Sequence, residues 1–287
     1  MSNTTITGAP LASADGHRWT LLSHAPARPR AHLLWLPALG VSARHYQPLA
    51  DALAVRGIAT HLHEWRGNGS SSLRASHEQD WGYRELLSLD LPASLAALPA
   101  DGTPRLLGGH SLGGQLACCL AGQHPDAFAG LGLVASGTPY WRSFPPPRGW
   151  LLPLAYRFLP WLARKRGALP GRRLGFGGTE ARSLIADWAR VGLTNHYAAS
   201  GLDRDLETGM ARLRMPVQGV LLARDWLAPP ASLRALLAKL PGSPAQVASL
   251  DAAALQVRAD HFGWMRQPDA VARVLAEGLA HEFAKND

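Results

Sequence analysis

Acid is missing from a long stretch of this chain. Between Asp126 and Glu180 there is no Asp or Glu, although eight basic residues fall in the same interval. Cysteine is scarce as well. The two present, Cys118 and Cys119, are adjacent and cannot bridge each other without strained geometry. Nothing has metal-ligand spacing with them, so they read as a reduced core pair and no metal centre is expected. The longest uncharged apolar runs fall well short of the roughly 18 residues that a spanning helix requires. The amino-terminal MSNTTITGAP has no basic start followed by an apolar block, so no secretory signal is expected. Internal repeats and low-complexity tails are missing too. These absences predict a cytoplasmic chain without a disulfide scaffold, a membrane span or a cofactor.

What is present is a large apolar content, 47% of 287 residues, enough for one big α/β domain with an inserted subdomain. The net charge is +8 and it is unevenly spread. Arg142, Arg148, Arg157, Arg164, Lys165, Arg166, Arg172 and Arg173 lie in the acid-free stretch, together with Trp141, Trp150, Trp161 and three consecutive prolines at 145–147. Basic plus aromatic composition is one mark of nucleic-acid binding, but no nucleic-acid motif accompanies it, and no such partner is expected. Weak contact with an anionic membrane surface, or with an acidic substrate, is a second reading. A solvated basic rim on an apolar cap is the plainest.

Strand-like and helix-like blocks alternate along the chain, which predicts a mostly parallel sheet with helices on both faces. Strands are expected at 17–23, 32–37, 58–64, 104–109, 131–136, 217–222 and 246–250, and helices at 44–55, 83–98, 112–123, 232–240 and 269–283. The alternation breaks within 137–207. That segment is rich in Pro, Trp and Arg, and prolines at 153, 160 and 170 are expected to chop it into short helices. It reads as a helical cap inserted between two parts of one core, 1–136 and 208–287.

The chemistry centres on Gly109-His110-Ser111-Leu112-Gly113-Gly114, a G-x-S-x-G sequence with one more glycine. By itself the pattern is weak in a chain with 29 glycines. Its context strengthens it: a strand-like run precedes it and a helix-like run follows. That is the setting of a nucleophile elbow, where a serine sits on a strained strand-to-helix turn and small neighbours let the two arms approach. The bland reading is a glycine-rich turn with a serine N-cap. A serine hydroxyl needs a histidine base, an acid to orient that base, and donors for the developing oxyanion. Asp225 follows the buried strand 217–222 and is the candidate acid; Asp203 and Asp205, at the exit of the insertion, are alternatives. His261 follows the last strand and is the candidate base, since His281 falls within the final helix. Adjacent residues rarely aim side chains at each other, so Asp225 is preferred over Asp260. The oxyanion donors should be backbone N–H groups, one from Leu112 and one from Leu39 in the turn after strand 32–37. Pro37 has no N–H to give.

Other polar residues read as structural. His110 sits beside the serine but should point away from it. His61 and His63 alternate on one strand face, and without a third ligand they make no metal site. The turn at 64–71, Glu-Trp-Arg-Gly-Asn-Gly-Ser-Ser, is glycine-rich but lacks the lysine of a phosphate-binding loop.

Taken together, GHSLGG, EWRGNGSSS, RDWLAPP and DHFGWMR resemble the nucleophile elbow, D-x-R-G-x-G-x-S turn, acid loop and histidine loop of the α/β-hydrolase superfamily. The similarity is to its esterase, lipase and serine-aminopeptidase-like branch and covers the chain apart from the insertion. It implies an eight-stranded, mostly parallel sheet with a helical lid, and a serine hydrolase acting on a small-molecule ester. Two departures stand out. Pro37-Ala38 replaces the usual His-Gly of the oxyanion strand, and Glu64 replaces the usual Asp of the turn. Amide or peptide-end cleavage and acyl transfer use the same residues and stay open, as does a non-catalytic module whose basic cap binds an anionic partner.

Overall fold

The computed structural model describes residues 5–175 and 177–279. Among the described residues, ten strands occur in chain order: β1 (Thr5–Ala12), β2 (Arg18–Ala25), β3 (Ala31–Leu36), β4 (Ile58–Leu62), β5 (Arg105–His110), β6 (Gly130–Val134), β7 (Ala168–Pro170), β8 (Thr179–Ala181), β9 (Val217–Leu222) and β10 (Ala245–Leu250). Eight of them form one sheet in the order β1-β2-β4-β3-β5-β6-β9-β10. The pairs β1–β2 and β2–β4 are antiparallel; every pair from β4 onward is parallel. This is the mostly parallel α/β-hydrolase sheet that the sequence predicts.

The central strands are buried along their whole length, as they must be when helices cover both faces of a sheet. Strand β3 shows the alternation: Leu34 and Leu36 join one apolar cluster, Leu33 and Trp35 the other. The elbow helix, Leu112–Gln123, fills the first cluster with Leu116, Cys118, Cys119 and Leu120. The carboxy-terminal helix, Asp269–Leu279, fills the second with Val271, Ala272, Leu275 and Leu279. Both cysteines are free and buried, as expected of a reduced pair.

Three local expectations are corrected. Strand β1 was not anticipated. Its sequence, TITGAPLA, contains Gly8 and Pro10 and lacks a sustained apolar alternation, but an edge position tolerates proline, and a turn closed by Ser13 N–H to His17 O (2.9 Å) pairs it with β2. The helix expected at 83–98 runs without a gap from 83 to 96, but it is not regular: a π-helical turn over Leu86–Asp90 lies between Tyr83–Glu85 and Leu91–Ala96. Pro92 lacks the N–H that would bond back to Ser88, and the wide turn carries Asp90 inward to Arg66 and His17. Between β6 and β9 the chain leaves the sheet, but prolines do not chop it. One helix of 19 residues, Arg148–Arg166, runs through both Pro153 and Pro160. Each proline forfeits one backbone bond, yet its fixed φ suits a helix, and burial of Tyr156, Pro160 and Ala163 against the Arg182–Thr194 helix holds the rod together. The same segment is not purely helical, because β7 and β8 form a small antiparallel hairpin.

Candidate active site

The elbow is built from tight contacts that only glycine permits. Ser111 sits at φ 55°, ψ −119°, a strained conformation for a residue with a side chain. Its N–H donates to Val134 O (3.1 Å), and Ser136 Oγ donates to its carbonyl (2.7 Å), so β6 and the residues after it pin the strained peptide from both sides. A Cβ on Gly109 would lie 2.3 Å from the Gly113 carbonyl carbon, and one on Gly113 would lie 2.0 Å from Leu36 O. The motif glycines therefore press the elbow helix against β5 and against the end of β3. The turn bearing Leu39 starts there.

Asp225 and His261 come together from opposite sides of β10 in the chain. His261 Nδ1 lies 2.7 Å from Asp225 Oδ2, and both side chains are buried. The other carboxylate oxygen of Asp225 accepts from the N–H groups of Leu227 (2.8 Å) and Ala228 (3.2 Å). A carboxylate fixed on one oxygen by two backbone donors can only offer the other to the imidazole. Trp264 Nε1 donates to His261 O (3.1 Å) and fixes the backbone of the histidine turn. Asp260 is turned away, accepting from Gly263 N–H (2.7 Å) and pairing with Arg258. Asp205 instead caps the Leu206–Ala211 helix. His281 lies outside the described residues.

Ser111, His261, Leu39 and Leu112 line one cavity of about 300 Å³. Among the described residues no hydrogen bond joins Ser111 to His261, and the N–H groups of Leu39 and Leu112 are not used in any hydrogen bond. The neighbouring Ala38 N–H is used: it donates to Tyr46 Oη (2.9 Å). With Pro37 lacking an N–H and that of Ala38 engaged, the N–H of Leu39 is the first free one in the turn. The segment between β6 and β9 supplies much of the remaining wall through Phe144, Leu152, Leu159 and Trp188. No Asp or Glu lines the cavity among the described residues.

Several residues of this site escaped the sequence reading. Tyr46 is the clearest. Its hydroxyl accepts from Ala38 and sits 2.8 Å from His110 Nδ1, so it bridges the Leu39 turn to the strand that carries Ser111. His110 is buried with its ring 4.8 Å from that of His261. Burial, then the nearness of His261, pushes His110 well below the ordinary histidine range, so it stays neutral. Tyr46 lay in a predicted helix, and nothing in its spacing pointed to a partner 64 residues away. Ser136 and Trp264 were hidden for the same reason.

The remaining motifs are structural. Glu64, the longer carboxylate, accepts from Ala43 N–H (3.0 Å) and Ser70 N–H (3.2 Å) and ties the turn at 64–71 to the helix start after the Leu39 turn. Burial pushes its pKa up, against those donors. Arg66 is buried in a bidentate contact with Asp90 (2.6 and 2.8 Å) and a second with Asp15. His61 and His63 take separate partners: His61 bonds Ser23 and His32, and His63 bonds Ser94. No group of three or more His, Cys, Asp or Glu able to hold a metal occurs among the described residues. No helix there is long and apolar enough to cross a membrane.

Comparison with known proteins agrees with this architecture. Residues 27–254 match the family model described as Hydrolase_4, serine aminopeptidase, S33. No curated protein matches the chain. Among solved structures, a hydrolase from Pseudomonas aeruginosa PA01 is similar at TM-score 0.66 and 17% identity, covering 95% of this chain and 98% of that one. The esterase domain of a Rhodothermus marinus protein is similar at 0.62 and 19%, covering 95% and 97%. A monoacylglycerol lipase from Paleococcus ferrophilus is similar at 0.59 and 15%, covering 97% and 99%. With the family model matched over most of its length and the sheet in place, this chain belongs to the Hydrolase_4 family of α/β hydrolases.

Proposed function

We propose that the chain hydrolyses carboxylic esters through an acyl-enzyme, with Ser111 as nucleophile, His261 as base and Asp225 as its orienting acid. The observation that carries this reading is the Asp225–His261 bond meeting Ser111 on the wall of one apolar cavity. In the first half-reaction the Ser111 Oγ–carbonyl carbon bond forms as the hydroxyl proton passes to His261 Nε2. Asp225, held on His261 Nδ1, stabilises the resulting imidazolium. The N–H groups of Leu39 and Leu112 receive the oxyanion. Collapse of the tetrahedral species breaks the bond to the leaving alkoxide, which takes the proton from His261. Water then repeats the sequence on the acyl-enzyme, releasing the acid and restoring Ser111. The segment 137–207 acts as the cap that shapes the acyl pocket.

The family description makes aminoacyl amides the second substrate class to test. Recognition of a free amine would call for a carboxylate in the pocket, and the described lining supplies none. A fluorophosphonate probe should label the wild type, and Ser111→Ala should abolish labelling and lower ester turnover on the order of 10⁵- to 10⁶-fold. Equal labelling of the two proteins would sink the mechanism. Turnover of acyl esters against aminoacyl amides decides between the substrate classes.

A further inference from the structure

The Arg148–Arg166 helix has two apolar faces, and only one is used by the cavity. Leu152, Ala155, Tyr156 and Leu159 point inward and line the pocket that holds Ser111. Trp150, Leu151, Leu154, Phe158 and Trp161 point outward, exposed by 68, 60, 65, 51 and 48%. At about 100° per residue these five positions fall within one stripe about 100° wide. A soluble surface rarely gathers so many large apolar side chains without covering them.

Charge accompanies the stripe. Arg148, Arg157, Arg164, Lys165 and Arg166 lie on the same helix, and Arg142, Arg172 and Arg173 flank it. All eight are exposed, and among the described residues none takes part in an ion pair. The surface therefore offers aromatic and aliphatic side chains together with positive charge that is not held in ion pairs. A lipid surface with anionic headgroups complements both: rings and leucines enter the boundary between headgroup and acyl chain while the guanidinium groups meet phosphate. A second copy of this chain would place like charges face to face.

The start of the helix also lies beside an exposed part of the cavity lining. The Arg148 guanidinium sits over the Trp226 ring, 5.2 Å from its centroid. Trp226 is 49% exposed and lines the cavity, as does the half-exposed Leu174 beyond the far end of the helix. We propose that the outer face of the Arg148–Arg166 helix docks on an anionic lipid surface and brings the cavity mouth to the bilayer, so that an apolar ester enters from the lipid. The docking stands on the surface alone; the entry of an ester rests on the function proposed above.

The test is co-sedimentation of the full chain with vesicles of phosphatidylcholine plus phosphatidylglycerol, compared with phosphatidylcholine alone. The expected result is binding to the anionic vesicles with a blue shift of tryptophan emission, weakened by salt. The triple variant Trp150→Ala, Phe158→Ala, Trp161→Ala should bind about tenfold more weakly. Arg157→Glu with Arg164→Glu should lose the preference for anionic vesicles. Neither variant touches the cavity lining, so both should turn over a water-soluble short-chain ester as the wild type does, while losing turnover of an ester dissolved in the vesicles. Absence of vesicle binding, or equal binding by the wild type and both variants, overturns the docking. So does a dimer in light scattering that the triple variant dissolves. Vesicle binding without any ester turnover would instead remove the catalytic reading and leave the docking in place.

Discussion

Ser111, the proposed nucleophile, is held by its neighbours in a shape it would not choose. A side chain at φ 55° costs about 1–3 kcal/mol, and the Val134 carbonyl and the Ser136 hydroxyl supply the bonds that keep it there. The same economy governs Asp225. One oxygen is spent on Leu227 and Ala228, so the other can only face His261. Asp225→Asn would present an amide where the imidazole N–H needs an acceptor, and its flip would place donors against a donor. Turnover should fall about 10⁴-fold while the fold is retained. Steady-state kinetics beside a thermal melt would check it; unchanged kcat would remove Asp225 from the proposed mechanism.

Among the elements, the segment between β6 and β9 and the Leu39 turn are not independent. A Cβ on Gly40 would lie 2.2 Å from the Gly178 nitrogen, so that segment's backbone rests directly on the turn. Glu180 is buried at this junction, beside a small enclosed cavity lined also by Leu39, Gly40 and Leu112. Burial pushes its carboxyl up to about 7, although the Gly178 N–H (2.6 Å) and Arg172 oppose that rise. A carboxyl raised in the folded state binds its proton more tightly there than in the unfolded chain. It therefore costs nothing at acid pH, and stability falls as pH rises from the unfolded value of 4.5 toward 7. Glu180→Gln keeps the acceptor for Gly178 without the charge. It should melt above the wild type at pH 8 and with it at pH 4. A variant less stable than the wild type at pH 8 would show that the ionised carboxylate is accommodated.

Across the whole molecule, Arg66 ties together parts far apart in the chain. Its guanidinium joins Asp15 in the β1–β2 turn to Asp90 in the π-helical turn, and His17 completes the group. Burial raises the Asp90 carboxyl, but the bonds from His17 and Arg66 outweigh it and leave it low. Removing one partner of such a group strands a buried charge. Asp90→Ala should lower global stability by about 3–5 kcal/mol, read as a shift of the urea midpoint. A loss below about 1 kcal/mol would mean that Arg66 finds water on relaxing.

How much of this was legible beforehand follows from the range of the forces involved. Strands β3, β5, β6 and β9 announced themselves because burial on both faces demands unbroken apolar runs, and the elbow because only glycine fits at 109 and 113. Order along the chain was enough to nominate Ser111, Asp225 and His261. Strand β1 was invisible because an edge strand needs a partner more than a pattern. The intact helix through Pro153 and Pro160 was misread because local propensity favours a break and tertiary packing overrides it. The sequence by itself determined the parallel core of the sheet, the residues nominated for chemistry and the excess of positive charge, since these depend on residue type and local period. Only the tertiary structure decided that Tyr46 links the Leu39 turn to His110, that Glu180 lies buried under that turn, and that the outward face of the Arg148–Arg166 helix is left bare. Those outcomes turn on contacts between residues distant in sequence, and no local pattern records them.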